Sequence, residues 1–139
     1  MRNPTRPIVA FCLIPDKPRR RRRSAKSRSA WSGRTLAATG GQKIYLWNTV
    51  TGKLAATITG PPGLALFSLA FSPDGRSVAA CGVSPAAYVW DTATGKLAAV
   101  FRDPSGAATS SLAYSPDGRT LAVSDYDGDI YLWNVCGLP

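Results

Sequence analysis

Histidine and glutamate are both missing from the chain. Without histidine there is no side chain whose ordinary pKa suits general-base work near neutrality, and the commonest metal ligand is gone. Without glutamate every acid is an aspartate, eight in all. Ser-His-Asp and Cys-His constellations are therefore excluded, and no Gly-Lys-Ser/Thr phosphate loop occurs. The expectation is a non-enzyme that uses no cofactor. Cysteine is scarce: Cys12, Cys81 and Cys136 are odd in number and far apart. They make neither a CxxC site nor a disulfide framework, and they suit free thiols in a reducing compartment. No apolar run approaches the ~20 residues that span a bilayer. The short run Ile8 to Ile14 leads into Pro15, Asp16 and arginines rather than a signal-peptide cleavage site. A soluble, cytoplasmic protein follows as the expectation.

Charge is plentiful but one-sided. Of the net +9, all nine charges fall in residues 1–32, where ten Lys/Arg face only Asp16; from Gly33 onward seven basic residues balance seven aspartates. Four prolines punctuate the first eighteen residues, and Arg19, Arg20, Arg21, Arg22 and Arg23 then run on to Lys26 and Arg28. Charges of one sign packed this densely repel, so 1–32 reads as a disordered basic tail. Within it, Val9-Ala10-Phe11 resembles the apolar-Ala-aromatic runs that open later units, with Pro15-Asp16 standing where a turn would come. The alternative is thus a first strand followed by a long basic insertion.

What the rest of the chain does have is short β-type runs separated by turn signals. The stretch 66–101 is the fullest example. Leu-Phe-Ser-Leu-Ala-Phe is followed by Ser-Pro-Asp-Gly-Arg, an apolar run Val78 to Cys81, Tyr88-Val89-Trp90-Asp91, and Thr-Gly-Lys-Leu-Ala-Ala-Val-Phe. Pieces of it recur. Trp47, Trp90 and Trp133 stand 43 residues apart, as do Asp74-Gly75 and Asp117-Gly118. Thr-Gly-Lys-Leu-Ala-Ala occurs identically at 51–56 and 94–99, and Ile-Tyr-Leu-Trp-Asn at 44–48 and 130–134. A period of 40–45 residues with four strands and a tryptophan closing the third strand describes a propeller blade.

From Gly33 to about residue 135 the chain resembles the WD-repeat β-propellers. The family's Trp-Asp pair stands as Trp90-Asp91, with Trp47-Asn48 and Trp133-Asn134 as variants, and its aromatic-Ser-Pro-Asp-Gly turn stands at 71–75 and 114–118. The resemblance implies an all-β fold, a partial propeller of antiparallel four-stranded blades at a 43-residue period. The units are 33–58 (a partial blade), 66–101 (a complete blade) and 109–134 (a partial blade lacking its outer strand). Inner strands covered on both faces become continuously apolar, as Val78 to Cys81 and Leu121 to Val123 are. Trp47, Trp90, Asp91, Trp133, Asp74, Gly75, Asp117 and Gly118 are structural positions on this reading. The departures are as informative. The Gly-His pair usual between blades is replaced by Pro61-Pro62 and Pro104-Ser105, so its histidine network cannot form. Only Asp127-Gly128 keeps the usual turn before the tryptophan strand; Gly41-Gln42 and Ser84-Pro85 stand in its place elsewhere.

Two and a half blades fall short of the roughly four to eight that close a ring. The chain reads as the C-terminal part of a longer propeller, as a block that closes a ring by self-association, or as an open stack. Asp125-Tyr126-Asp127-Gly128-Asp129 has the look of a calcium loop. It lacks the glutamate an EF-hand needs at its twelfth position, where Cys136 stands; a strand-connecting turn is expected and no metal site.

The resemblance implies a non-enzymatic scaffold that holds proteins or peptides on the loops of one face. The candidate contacts are Gln42, Pro61, Pro62, Ser84, Arg102, Asp103, Tyr126 and Asp127. The alternative function is unspecific nucleic-acid binding by the basic tail, through Arg19 to Arg23, Lys26 and Arg28 neutralising phosphates. Few aromatics accompany those arginines, which removes base stacking as a source of specificity.

Overall fold

Turn chemistry cuts the chain into strands of nearly constant length. The computed structural model describes residues 11–13 and 35–139. The first sheet joins β1 (Phe11–Leu13), β2 (Thr35–Gly40), β3 (Lys43–Asn48) and β4 (Leu54–Thr59). The second joins β5 (Leu66–Phe71), β6 (Ser77–Gly82), β7 (Ala86–Asp91) and β8 (Leu97–Arg102). The third holds β9 (Thr109–Tyr114), β10 (Thr120–Asp125) and β11 (Ile130–Asn134). Every pairing is antiparallel between consecutive strands. Each sheet is a blade, and the all-β partial propeller expected from the repeats is what forms. No helix long and apolar enough to cross a membrane occurs among the described residues.

The Ser-Pro-Asp-Gly sequences make the β5–β6 and β9–β10 hairpins by the same bonds. Ser72 Oγ donates to Asp74 Oδ1 at 2.7 Å, and Asp74 Oδ1 also accepts the Arg76 N–H. Ser115 Oγ donates to Asp117 Oδ1 at 2.6 Å, which accepts the Arg119 N–H. The glycines close both turns at φ 74° and 73°, a region that costs glycine nothing. At the far end of the tryptophan strands, side-chain oxygens start the next turn. Asn48 Oδ1 accepts from Val50 N and Thr51 N, Asp91 Oδ1 from Ala93 N and Thr94 N, and Asn134 Oδ1 from Cys136 N.

Two cores lie between the blades. Ala37, Ile44, Leu46 and Ile58 of the first blade meet Leu66, Leu69, Phe71, Val78, Ala80 and Trp90 of the second. On its other face the second blade packs Ala79, Cys81, Ala87 and Val89 against Leu112, Leu121 and Val123 of the third, with Phe101 stacked on Trp133 at 5.3 Å between ring centroids. Each Ile, Leu or Val so buried contributes roughly 1.5–3 kcal/mol. The middle blade is thus covered on both faces, and all six residues of β6 are buried.

Two expectations are corrected. The continuous burial expected at Leu121 to Val123 is not found: in β10, Leu121 and Val123 are buried and Ala122 between them is half-exposed. Among the described residues the third blade packs on the second alone, so burial alternates with the pleat. The first blade, expected to hold three strands, holds four. β1 pairs with β2 ahead of the arginine run, and Leu13 faces Leu36 where Phe71 faces Val78 and Tyr114 faces Leu121. Leu13, rather than Phe11, therefore stands at the aromatic position of the later units. The tail assigned to 1–32 otherwise lies outside the described residues. Among the described residues the third sheet has three strands, with β11 at its edge.

Candidate functional site

Five loops share one edge of the blade array: the β2–β3, β6–β7 and β10–β11 turns and the β4–β5 and β8–β9 connections. Backbone hydrogen bonds lock them in a pattern that repeats with the sequence. Leu66 N donates to Gly41 O at 2.8 Å, as Thr109 N does to Ser84 O at 3.0 Å. Gly60 N donates to Gln42 O, as Asp103 N does to Pro85 O, each at 2.7 Å. Val83 N reaches Ala65 O at 3.1 Å, and Tyr126 N reaches Ala108 O at 3.0 Å. The carbonyls of Gly41, Gln42, Ser84 and Pro85, left over by strand pairing, are thus spent on the next connection, which ties turn to connection through the backbone.

Gln42, Pro61, Pro62, Ser84, Arg102, Tyr126 and Asp127 all fall on this edge. Pro62, Arg102, Tyr126 and Asp127 are exposed; Gln42, Pro61 and Ser84 are half-buried. Tyr126 reaches back to the second blade, its ring edge-on to Phe67 at 6.4 Å. Asp103 differs from the other candidates because it is buried. Its Oδ1 accepts both Ser105 N and Ser105 Oγ at 2.7 Å, while the same hydroxyl faces Asp125 Oδ2 at 3.3 Å. Desolvation opposes ionisation of Asp103, but the Ser105 hydrogen bonds outweigh it and hold the carboxyl below its usual range. Burial, followed by the charges of Asp103, Asp129 and Asp125, raises the Tyr131 phenol, with Ser105 pulling the other way. Ser105 therefore ties connection to turn at the place where the histidine network was expected to be missing. Asp103 is a buttress of that tie.

Sequence reasoning missed Thr109. Fully buried, its hydroxyl lies 3.1 Å from both Gly82 O and Ser84 O and accepts the Gly82 N–H at 3.3 Å, joining the third blade to the β6–β7 turn. The repeat places Leu66 at the equivalent position, so nothing in the pattern singled it out. Gly82 was missed too. A Cβ there would lie 1.7 Å from Ala65 O. The clue was a glycine closing an otherwise apolar strand, which marks a close backbone approach.

Asp125 to Asp129 form the expected turn. Asp125 is buried and accepts the Asp129 N–H at 2.8 Å, whereas Asp127 and Asp129 are exposed. Among the described residues no three His, Cys, Asp or Glu side chains are grouped to hold a metal. Cys81 and Cys136 are free, and burial pushes the Cys81 thiol up to about 11, against hydrogen bonds with Thr109 and Ser68. Thiolate is the reactive form, so Cys81 is inert near neutrality. The opposite edge carries a cavity of about 240 Å³ between the two Ser-Pro-Asp-Gly turns, closed by Val135 and Leu138. Trp47, Trp90 and Trp133 each pair with the tyrosine two residues earlier, at 5.6, 5.9 and 6.5 Å. Arg19 to Arg23, Lys26 and Arg28 lie outside the described residues.

Antiparallel blades of three or four strands, stacked face to face, with loops bonded edge to edge, define a propeller-type repeat protein. The family model described as "WD domain, G-beta repeat" matches residues 52–91 and 95–134, and the chain belongs to that family. Each matched repeat starts with the outer strand of one blade and ends on the tryptophan strand of the next, so every repeat bridges two blades. A search of the curated proteins finds no match to the chain. Repeats of this family are in general protein-interaction modules.

Proposed function

We propose that the chain is a non-enzymatic scaffold of the WD-repeat type, a building block of a larger propeller that holds a protein or peptide on its loop edge. The observation that supports this reading is the periodic backbone bonding of the five loops. It keeps Gln42, Pro62, Arg102, Tyr126 and Asp127 on a rigid base, so little ordering entropy is lost when a partner binds. Exposed tyrosine and arginine are the residue types that most often carry binding energy. No catalytic role is proposed, since the chain offers no histidine or glutamate and its buried thiol is inert. The free thiols suit a reducing compartment, and the cytoplasm is the proposed location.

The test is affinity capture with the full chain, compared with Tyr126→Ala/Arg102→Ala on the loop edge and with Lys53→Ala on the far edge. Loss of a captured protein with the first variant and retention with the second is the expected outcome. Capture that survives the loop variant but falls steeply with salt, at a log–log slope of about −0.7 per single-strand phosphate contact, would instead assign binding to the arginine run and nucleic acid.

A further inference from the structure

The third blade repeats a face that the rest of the molecule shows only in covered form. In the first blade, Ile44 and Leu46 share a face with Ala37 and Thr39, their cross-strand partners. All four are buried, with Ile44 at 0% and Leu46 at 4% exposure. The second blade presents Ala87 and Val89 over Cys81 and Ala79, again all buried. The third presents Ile130 and Leu132 over Ser124 and Ala122, but here Ile130 is 69% and Leu132 71% exposed. Small residues beneath large aliphatic ones let a neighbouring sheet approach closely, and none of these side chains is charged.

What covers such a face is also visible. Over Ile44 and Leu46 lies the side of the second blade that carries Trp90, stacked with Tyr88 at 5.9 Å. The first blade has the same pair, Tyr45 and Trp47 at 5.6 Å, on the side of β3 that points away from the second blade. Both rings are half-buried, whereas Trp90 is 2% exposed. One end of the array therefore offers a blade's donor face and the other end a blade's receiver face.

We propose that these two ends meet between two copies of the chain. The Ile130/Leu132 face of each copy docks on the Tyr45/Trp47 face of the other, and the pair closes a ring of six blades. The contact is head-to-tail, a geometry that closes into a ring when the rotation per subunit permits and otherwise runs on as a filament. Twice three blades lies within the four to eight of closed propellers. The inference rests on the building-block reading above and names the partner that completes the block.

Light scattering on the purified full chain tests it. The expected mass is twice the 14.7 kDa of one chain. Leu132→Asp and Ile130→Asp, both at positions open to solvent in the single chain, are each expected to return the mass to 14.7 kDa with the circular-dichroism spectrum unchanged. A wild-type mass of one chain at all concentrations, a dimer that survives both substitutions, or a mass climbing past two chains would each overturn the closed ring. None of these outcomes touches the loop-edge reading, because all five loops belong to one chain. Conversely, a normal dimer that captures nothing through Tyr126 and Arg102 would sink that reading and leave the ring intact.

Discussion

Ile44 and Ile130 open the same Ile-Tyr-Leu-Trp-Asn strand, yet Ile44 lies sealed under the second blade and Ile130 stands open on the third. Local sequence is identical and the environment is opposite. Burial here is a property of what stacks on a blade rather than of the blade, as expected where each repeat contacts only its neighbours.

Gly82 is the narrowest point between the second blade and the β4–β5 connection. Gly82→Ala would put a methyl group into the Ala65 carbonyl, with backbone on both sides and nothing flexible to give way. The expected loss in urea unfolding is at or above the roughly 1–3 kcal/mol that overpacking costs. Gly41→Ala is the control: φ is +62° but nothing lies within 4 Å, so only the roughly 1–2 kcal/mol of left-handed strain applies. Equal losses would show that close approach is not what selects glycine at 82.

Thr109→Val keeps the shape and removes the buried hydroxyl that donates toward the Gly82 and Ser84 carbonyls and accepts the Gly82 N–H. A loss of roughly 1–3 kcal/mol is expected, with Thr109→Ser recovering most of it. If valine proves neutral, the Thr109 bonds do not hold the second and third blades together.

Acid sensitivity has a defined sign. Hydrogen bonds from Ser115 Oγ and Arg119 N lower the pKa of Asp117, and Ser105 lowers that of Asp103 against its burial. A depressed folded-state pKa contributes stability that is complete above the unfolded value, about 3.9, and is lost as pH falls through the folded one. The urea midpoint should therefore hold steady from neutrality to about pH 5 and fall below about pH 4. Asp117→Asn should shallow that fall. A midpoint that instead drops between pH 8 and 6 would contradict this assignment, since the chain has no histidine to titrate there.

Much of this architecture is legible because its turns are local. Ser72 to Ser77 closes a hairpin within six residues, and Asp91 with Thr94, Gly95 and Lys96 does the same. Such motifs read the same wherever they sit. The 43-residue spacing puts Trp47, Trp90 and Trp133 at the close of each third strand, where β3, β7 and β11 hold them, and all eight loop candidates fall on one edge. What could not be read depends on distant partners. β1 is parted from β2 by the arginine run instead of a tight hairpin, so its register was misjudged by two residues. Asp103 reads as an exposed loop acid because Asp125, which shares the Ser105 hydroxyl with it, belongs to another blade. Ala122 looked buried because its counterpart Ala79 has a blade on each side.

The most direct test compares Leu46→Asp with Leu132→Asp, the third residue of the same pentapeptide in its two settings. Followed by circular dichroism through thermal unfolding, Leu46→Asp should abolish the cooperative transition, since a buried unpaired charge costs roughly 4–5 kcal/mol or more. Leu132→Asp should keep the transition and make its midpoint independent of protein concentration. Comparable damage from both substitutions, or from neither, would contradict the account.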